Sequence, residues 1–121
     1  MLIKIIALYY LLFGVFHLFF WRLLEWKEQL MNLSPTNRAV VQTLNLCLTF
    51  MFLLVAYCFN FYASDIRSTG LGHALIIGMG LFWVVRAILQ LLLFDTRQTI
   101  HKVLSIVFVI GIVLHVCLYF D

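Results

Sequence analysis

Charged residues are scarce in this sequence, which has eight lysines and arginines and five aspartates and glutamates among 121 residues. They make up 11% of the chain, whereas hydrophobic residues make up 65%. Because a soluble domain is about a quarter charged and about half apolar, this composition predicts an integral membrane protein. The net charge of +3 comes from scattered loop residues and forms no basic stripe. We therefore expect no nucleic-acid partner.

Motifs that carry familiar chemistry are also missing. Cys47, Cys58 and Cys117 lie inside apolar runs without CxxC or Cys/His spacing, so we predict no zinc site and interpret them as small apolar residues. Cys58 and Cys117 fall at similar depth, which leaves a disulfide as an alternative. Phosphate loops, dinucleotide fingerprints, hydrolytic triads and carboxylate-rich di-iron motifs are absent from the sequence.

The four histidines raise the question of b-type haem. Two axial imidazoles must lie on facing helices at nearly one depth. Only His17 with His101, or His73 with His115, come near a common level along the predicted helices. We therefore predict neither haem nor any other cofactor or metal.

Long apolar runs dominate what remains. Four of them reach the length of about 20 residues that a bilayer requires, at residues 2–24, 39–61, 71–94 and 100–120. Ser34 and Pro35 form a typical helix start, with an N-cap followed by proline at the first helical position. The connections are short, so we predict an all-α, four-helix transmembrane bundle in which sequence neighbours are antiparallel, forming a single domain over residues 1–121.

The connecting segments suggest an orientation. Residues 25–37 read as a short amphipathic piece at the membrane surface and residues 63–70 as a tight polar turn. The first and third loops carry most of the positive charge, at Arg22, Lys27, Arg38, Arg97 and Lys102. The positive-inside rule then places both termini outside. We expect the membrane to be a bacterial inner (plasma) membrane.

Polar residues recur along one face of each of the last three segments. The second segment carries one stripe of residues at helical spacing, predicted to face protein: Gln42, Asn45, Thr49, Phe52 and Ala56. The third segment carries Met79, Trp83, Arg86 and Gln90, and the fourth carries His101, Phe108 and His115.

Arg86 is the residue around which a function can be proposed, because an ionisable side chain inside a membrane segment is costly and usually functional. At about 1.5 Å per residue, Arg86, His17 and Asn45 each lie about 6–7 Å from the midplane, on one side. Ser105 falls in the same layer. The predicted pocket consists of His17, Trp21, Asn45, Trp83, Arg86, Gln90 and Ser105. No carboxylate shares this layer, so we expect an anionic amphiphile or lipid headgroup to bind Arg86.

Other interpretations remain open. Arg86 could snorkel to the surface or bond Asn45 and Gln90 as a link between helices. Small residues spaced by four, at Gly70, Ala74 and Gly78, could mediate a homo-oligomer or contact a membrane partner in an assembly subunit. An enzyme or transporter would use His17 as a base and Arg86 as an anion stabiliser, but no substrate can be proposed and the sequence does not favour an enzyme.

Overall fold

The computed structural model describes all 121 residues and contains helices and connections without any strand. Its helices are α1 (Leu2–Leu18), α2 (Phe20–Leu23), α3 (Trp26–Gln29), α4 (Pro35–Phe61), α5 (Ala63–Ser68), α6 (Gly70–Leu93) and α7 (Thr99–Phe120). A 3₁₀ turn at Leu30–Asn32 connects α3 to α4. The prediction of an all-α protein is therefore confirmed.

Three of these helices, α4, α6 and α7, are long and apolar enough to cross a membrane. They contain 27, 24 and 22 residues, and a bilayer requires about 20. Helix α1 is apolar as well but has only 17 residues. The chain is accordingly an integral membrane protein.

The first predicted helix, residues 2–24, is interrupted in the structure. Helix α1 ends at Leu18, and the backbone N–H of Phe19 donates to the carbonyl of Phe16 at 3.1 Å. This contact spans three residues instead of four, which tightens the last turn. The chain then continues as the separate four-residue helix α2.

The start of the second long helix follows the predicted cap. Helix α4 begins at Pro35, and the Ser34 hydroxyl accepts a hydrogen bond from the backbone N–H of Asn37 at 3.2 Å. Ser34 thus satisfies one of the N–H groups that a helix start leaves unpaired. The Ser–Pro signal is confirmed, and α4 begins four residues before the apolar run that was predicted to start at residue 39.

Residues 63–70 do not form the predicted polar turn, because most of them form α5. Ile66 is buried at 4% exposure, which gives this short helix an apolar anchor. Thr69 ends α5 and caps α6: its hydroxyl donates to the Asp65 carbonyl at 2.7 Å and accepts from the Gly72 N–H at 3.0 Å. A Cβ at Gly72 would lie 2.2 Å from the Ile66 carbonyl oxygen, so only glycine fits this connection.

The chain forms two compact units. Residues 7–61 make up the amino-terminal unit, and residues 1–6 with 62–121 make up the carboxy-terminal unit. A single transmembrane domain over residues 1–121 stays a prediction.

Aromatic rings fill the amino-terminal unit between α1 and α4. The ring of Phe52 lies 6.1 Å from that of Tyr10 and 5.5 Å from that of Phe13, measured between centroids. Nearby, Gly14 brings α1 close to Leu53 of α4. The predicted stripe on α4 does face protein, since Asn45, Thr49, Phe52 and Ala56 are buried and Gln42 is partly buried.

Close approach of α6 and α7 organises the carboxy-terminal unit. A Cβ at Gly80 would lie 3.2 Å from the Cβ of His115. Trp83, one turn further along α6, is fully buried and stacks on Phe108, with centroids 5.8 Å apart and ring planes at 20°. This contact positions the polar residues that follow Trp83 along α6.

Candidate functional site

The seven predicted pocket residues fall into two groups. His17, Trp21 and Asn45 belong to the amino-terminal unit, whereas Trp83, Arg86, Gln90 and Ser105 belong to the carboxy-terminal unit. Within each unit the structure shows what the side chains contact. One pocket containing all seven residues stays a prediction.

His17 and Asn45 bond each other across α1 and α4. The Nδ1–H of His17 donates to the Asn45 side-chain oxygen at 2.8 Å, and Asn45 Nδ2 donates to the His17 carbonyl at 3.0 Å. Asn45 is 6% exposed, and its backbone carbonyl accepts a hydrogen bond from the Thr49 hydroxyl at 2.8 Å. These bonds link the two helices and satisfy the side chains of Asn45 and Thr49 within the protein.

Aromatic rings surround the rest of this group. The His17 imidazole stacks on Phe20, with centroids 4.3 Å apart and planes at 29°. Trp21 is partly buried and meets the buried Trp26 edge-on at 4.9 Å. The amino-terminal unit therefore embeds its histidine in aromatic packing and pairs it with an amide.

Arg86 has a different environment in the carboxy-terminal unit. It is partly buried, and its guanidinium carbon lies 4.3 Å from the ring centroid of Phe108 and 5.4 Å from that of Phe94. The guanidinium forms no salt bridge and no hydrogen bond. Five N–H donors thus lie between two rings without an acceptor.

Gln90 lies one turn beyond Arg86 and is fully buried. Its Nε2 donates to Nδ1 of His101 at 3.3 Å, which links α6 to α7. Its Oε1 is buried without any hydrogen-bond partner. Leaving a buried polar atom unsatisfied costs about 1–3 kcal/mol, so this oxygen is a feature that needs an explanation.

Ser105 and Trp83 have structural contacts. The Ser105 hydroxyl donates to the carbonyl of His101, one turn earlier in α7, at 2.9 Å. Ser105 also lines an open apolar groove of about 300 Å³ that includes neither Arg86 nor Gln90; its other lining residues are Ala87, Leu91, Ile106, Val109 and Ile110. Trp83 supports Phe108, the ring nearest to Arg86.

Three residues that contact the predicted site were missing from the predicted pocket: Phe94, His101 and Phe108. The sequence did place His101 and Phe108 on one face of the last helix. Phe94 is the first residue beyond α6 and follows Arg86 by eight residues, a spacing that returns it to nearly the same side of the helix. Pairing these positions required the register between α6 and α7, which no local pattern supplies.

The small-residue face of α6 is open within this chain. Gly70, Ala74 and Gly78 are exposed, and a Cβ at Gly70 or Gly78 would meet nothing within 4 Å. No helix of this chain uses the close approach that these residues permit.

The remaining metal-ligating side chains do not cluster. Cys47, Cys58 and Cys117 are free thiols, so the alternative of a Cys58–Cys117 disulfide is not realised. No group of three or more histidine, cysteine, aspartate or glutamate side chains is positioned to hold a metal ion.

Comparisons of the chain with known protein families, with curated proteins and with solved structures find no match. The chemistry of Arg86 and Gln90 is thus the basis for assigning a function.

Proposed function

We propose that this protein binds an anionic amphiphile or lipid headgroup in the membrane through Arg86. The observation that carries the proposal is the environment of the guanidinium, which lies against two phenylalanine rings and has neither a carboxylate nor a hydrogen-bond acceptor. Arg86 lies seven residues before the end of the 24-residue helix α6 and is partly buried, so its long side chain can extend toward a headgroup at the membrane surface.

Contact with the two rings offsets only part of the free-energy cost of placing the Arg86 charge in the membrane. A cation above a ring gains about 0.5–2 kcal/mol, while an arginine at the centre of a membrane helix costs about 2.5–3.5 kcal/mol on insertion scales. The rings accept no hydrogen bonds in the plane of the guanidinium. A phosphate or carboxylate can bind that planar edge with two parallel N–H···O bonds and neutralise the charge.

The broader architecture of the proposal follows from the sequence. Four spans with antiparallel neighbours would place Arg86 in the half of the bundle that faces the first and third loops, with both termini outside a bacterial inner membrane. The contacts Gly80–His115, Trp83–Phe108 and Gln90–His101 support an antiparallel pairing of α6 and α7.

Native mass spectrometry of the protein released from mild detergent tests this function. Vesicles of anionic and zwitterionic phospholipid serve as the lipid source, and retained lipid is counted per protein molecule. Charge-assisted hydrogen bonds contribute about 1.5–3 kcal/mol, so Arg86→Leu should lower retention of the anionic lipid by about tenfold or more.

Two further variants sharpen this experiment. Arg97→Leu removes an exposed loop arginine and should leave retention unchanged. Arg86→Lys keeps the charge but loses the planar donor edge, so its retention should fall between those of the wild type and Arg86→Leu. Equal retention by wild type and Arg86→Leu would reject the proposal.

An assembly subunit is the second candidate, favoured by the exposed face of Gly70, Ala74 and Gly78. Small residues at this spacing let another helix approach closely in lipid. The same mass spectra address it: a dimer without bound lipid would favour assembly through α6, and a monomer carrying anionic lipid would favour the binding protein.

A further inference from the structure

We infer that the ligand of Arg86 also carries a hydroxyl group, and that this hydroxyl donates to Oε1 of Gln90. The inference rests on the proposed function and specifies the class of headgroup. Its basis is the buried oxygen of Gln90, which has no partner although the side chain is fully enclosed. Native structures rarely leave such an atom without a partner, whether from the protein, from water or from a bound group.

The chemistry of the Gln90 amide shows which kind of partner its oxygen lacks. An amide has donors on nitrogen and an acceptor on oxygen. The donor end is used, since Nε2 bonds Nδ1 of His101 at 3.3 Å. Oε1 has no partner and remains an acceptor that needs an O–H or N–H group.

Two donors on the same helices, the guanidinium of Arg86 and the hydroxyl of Ser105, do not bond Oε1 of Gln90. The guanidinium of Arg86, one turn earlier, lies over the ring of Phe108 and forms no hydrogen bond. The hydroxyl of Ser105 donates to the backbone carbonyl of His101. Neither side chain supplies the missing proton, so a ligand that binds beside Arg86 is the remaining source.

One headgroup can span both residues. Side chains four residues apart lie on one helix face with Cβ atoms about 5–6 Å apart, which is the scale of a single phospholipid headgroup. The terminal torsion of glutamine is soft, and the bond to His101 is long at 3.3 Å. Because Gln90 is fully enclosed in the structure, the inference requires this torsion to turn when a headgroup binds Arg86, so that Oε1 meets the hydroxyl.

The predicted ligand is thus an anionic phospholipid with a hydroxyl donor. Phosphatidylglycerol carries its hydroxyls on the glycerol headgroup, and phosphatidic acid carries one on the phosphate itself. Phosphatidylmethanol is the matched control, because it is an anionic phosphodiester whose headgroup has no hydroxyl.

Competition in nanodiscs, read out by native mass spectrometry, compares these lipids at equal mole fraction. A neutral hydrogen bond contributes about 0.5–1.5 kcal/mol, so wild-type protein should retain phosphatidylglycerol about two- to tenfold better than phosphatidylmethanol. Gln90→Met preserves the length and apolar packing of the side chain but removes the acceptor, and it should make the two lipids equal. Gln42→Met, on α4, should preserve the preference.

Each outcome has a defined meaning. Equal retention of the two phosphodiesters by wild type, with both lost in Arg86→Leu, would overturn the role of Gln90 and leave the anion site intact. Retention that does not depend on Arg86 would overturn both proposals. A preference that survives in Gln90→Met would also reject the inference. A preference for hydroxyl-bearing lipid that vanishes in Gln90→Met but persists in Gln42→Met would support it, and the phosphatidic acid arm would identify which hydroxyl donates.

Discussion

In the amino-terminal unit the buried amide of Asn45 uses both its oxygen and its nitrogen, each bonded to His17. In the carboxy-terminal unit the buried amide of Gln90 uses only its nitrogen, and Arg86 one turn away bonds nothing. The two regions have similar apolar composition and differ in whether their polar side chains satisfy one another.

This difference distinguishes polar residues that hold helices together from polar residues that could bind a ligand. Inside a membrane no bulk water is available to satisfy polar groups, so a polar residue that only holds helices together should find its partner within the protein. His17 and Asn45 meet this expectation. Arg86 and Gln90 do not, which is why the proposed ligand is assigned to the carboxy-terminal unit.

The two units also differ in what surrounds their glycines. Among the substitutions proposed here, replacing a glycine should change the free energy of unfolding most. A Cβ at Gly72 would lie 2.2 Å from the Ile66 carbonyl oxygen and 2.4 Å from its Cα, and this backbone cannot move without disrupting α5. Gly72→Ala should lower the free energy of unfolding by about 3 kcal/mol or more. Reversible unfolding in mixed detergent micelles measures the change.

Gly14→Ala is the matching variant in the amino-terminal unit. There a new Cβ meets the tip of the Leu53 side chain at 2.7 Å, and that tip can adopt another rotamer. The expected loss is about 1 kcal/mol. Gly78→Ala, which meets nothing within 4 Å, should cost nothing. A Gly72→Ala protein as stable as the wild type would contradict the tight α5–α6 connection.

The sequence predicted the helices well because their signals are local. Apolar runs of membrane length marked α4, α6 and α7, and the Ser34–Pro35 pair marked the start of α4. Helix α5 was not predicted because the polar residues in this segment are typical of a turn. The burial of Ile66 against Gly72 and the bond from the Thr69 hydroxyl to the Asp65 carbonyl stabilise it as a helix.

The candidate site was predicted in part. Arg86 and Gln90 were recognisable because polar residues deep in apolar segments are rare. Phe94 and Phe108, which flank the guanidinium, were not recognisable because aromatic residues in membrane helices are common and their register across α6 and α7 is not local. The bond between His17 and Asn45 likewise required knowing that α1 lies against α4 at that depth.

Asn45→Leu should have the next largest effect. It removes the two hydrogen bonds that the Asn45 side chain forms with His17. Because hydrogen bonds between membrane helices contribute about 0.6–2 kcal/mol, the free energy of unfolding should fall by about 1–2 kcal/mol. Gln42→Leu on the same helix is the control and should have little effect. If Asn45→Leu also lost anionic lipid while remaining as stable as the wild type, Asn45 would be a binding residue and the contrast between the units would fail.

The smallest effect is expected at Arg67, the arginine of the carboxy-terminal unit that does have a carboxylate partner, Asp121. Both side chains are exposed, at 40% and 48%, and exposed ion pairs contribute about 0–1 kcal/mol. Arg67→Gln should therefore lower the free energy of unfolding by less than about 1 kcal/mol, and high salt should reduce the difference further. A loss well above that value, insensitive to salt, would mean that this unit depends on paired arginine for its stability. A small loss would agree with an exposed pair that adds little stability, in contrast to the partly buried Arg86, whose guanidinium has no carboxylate partner.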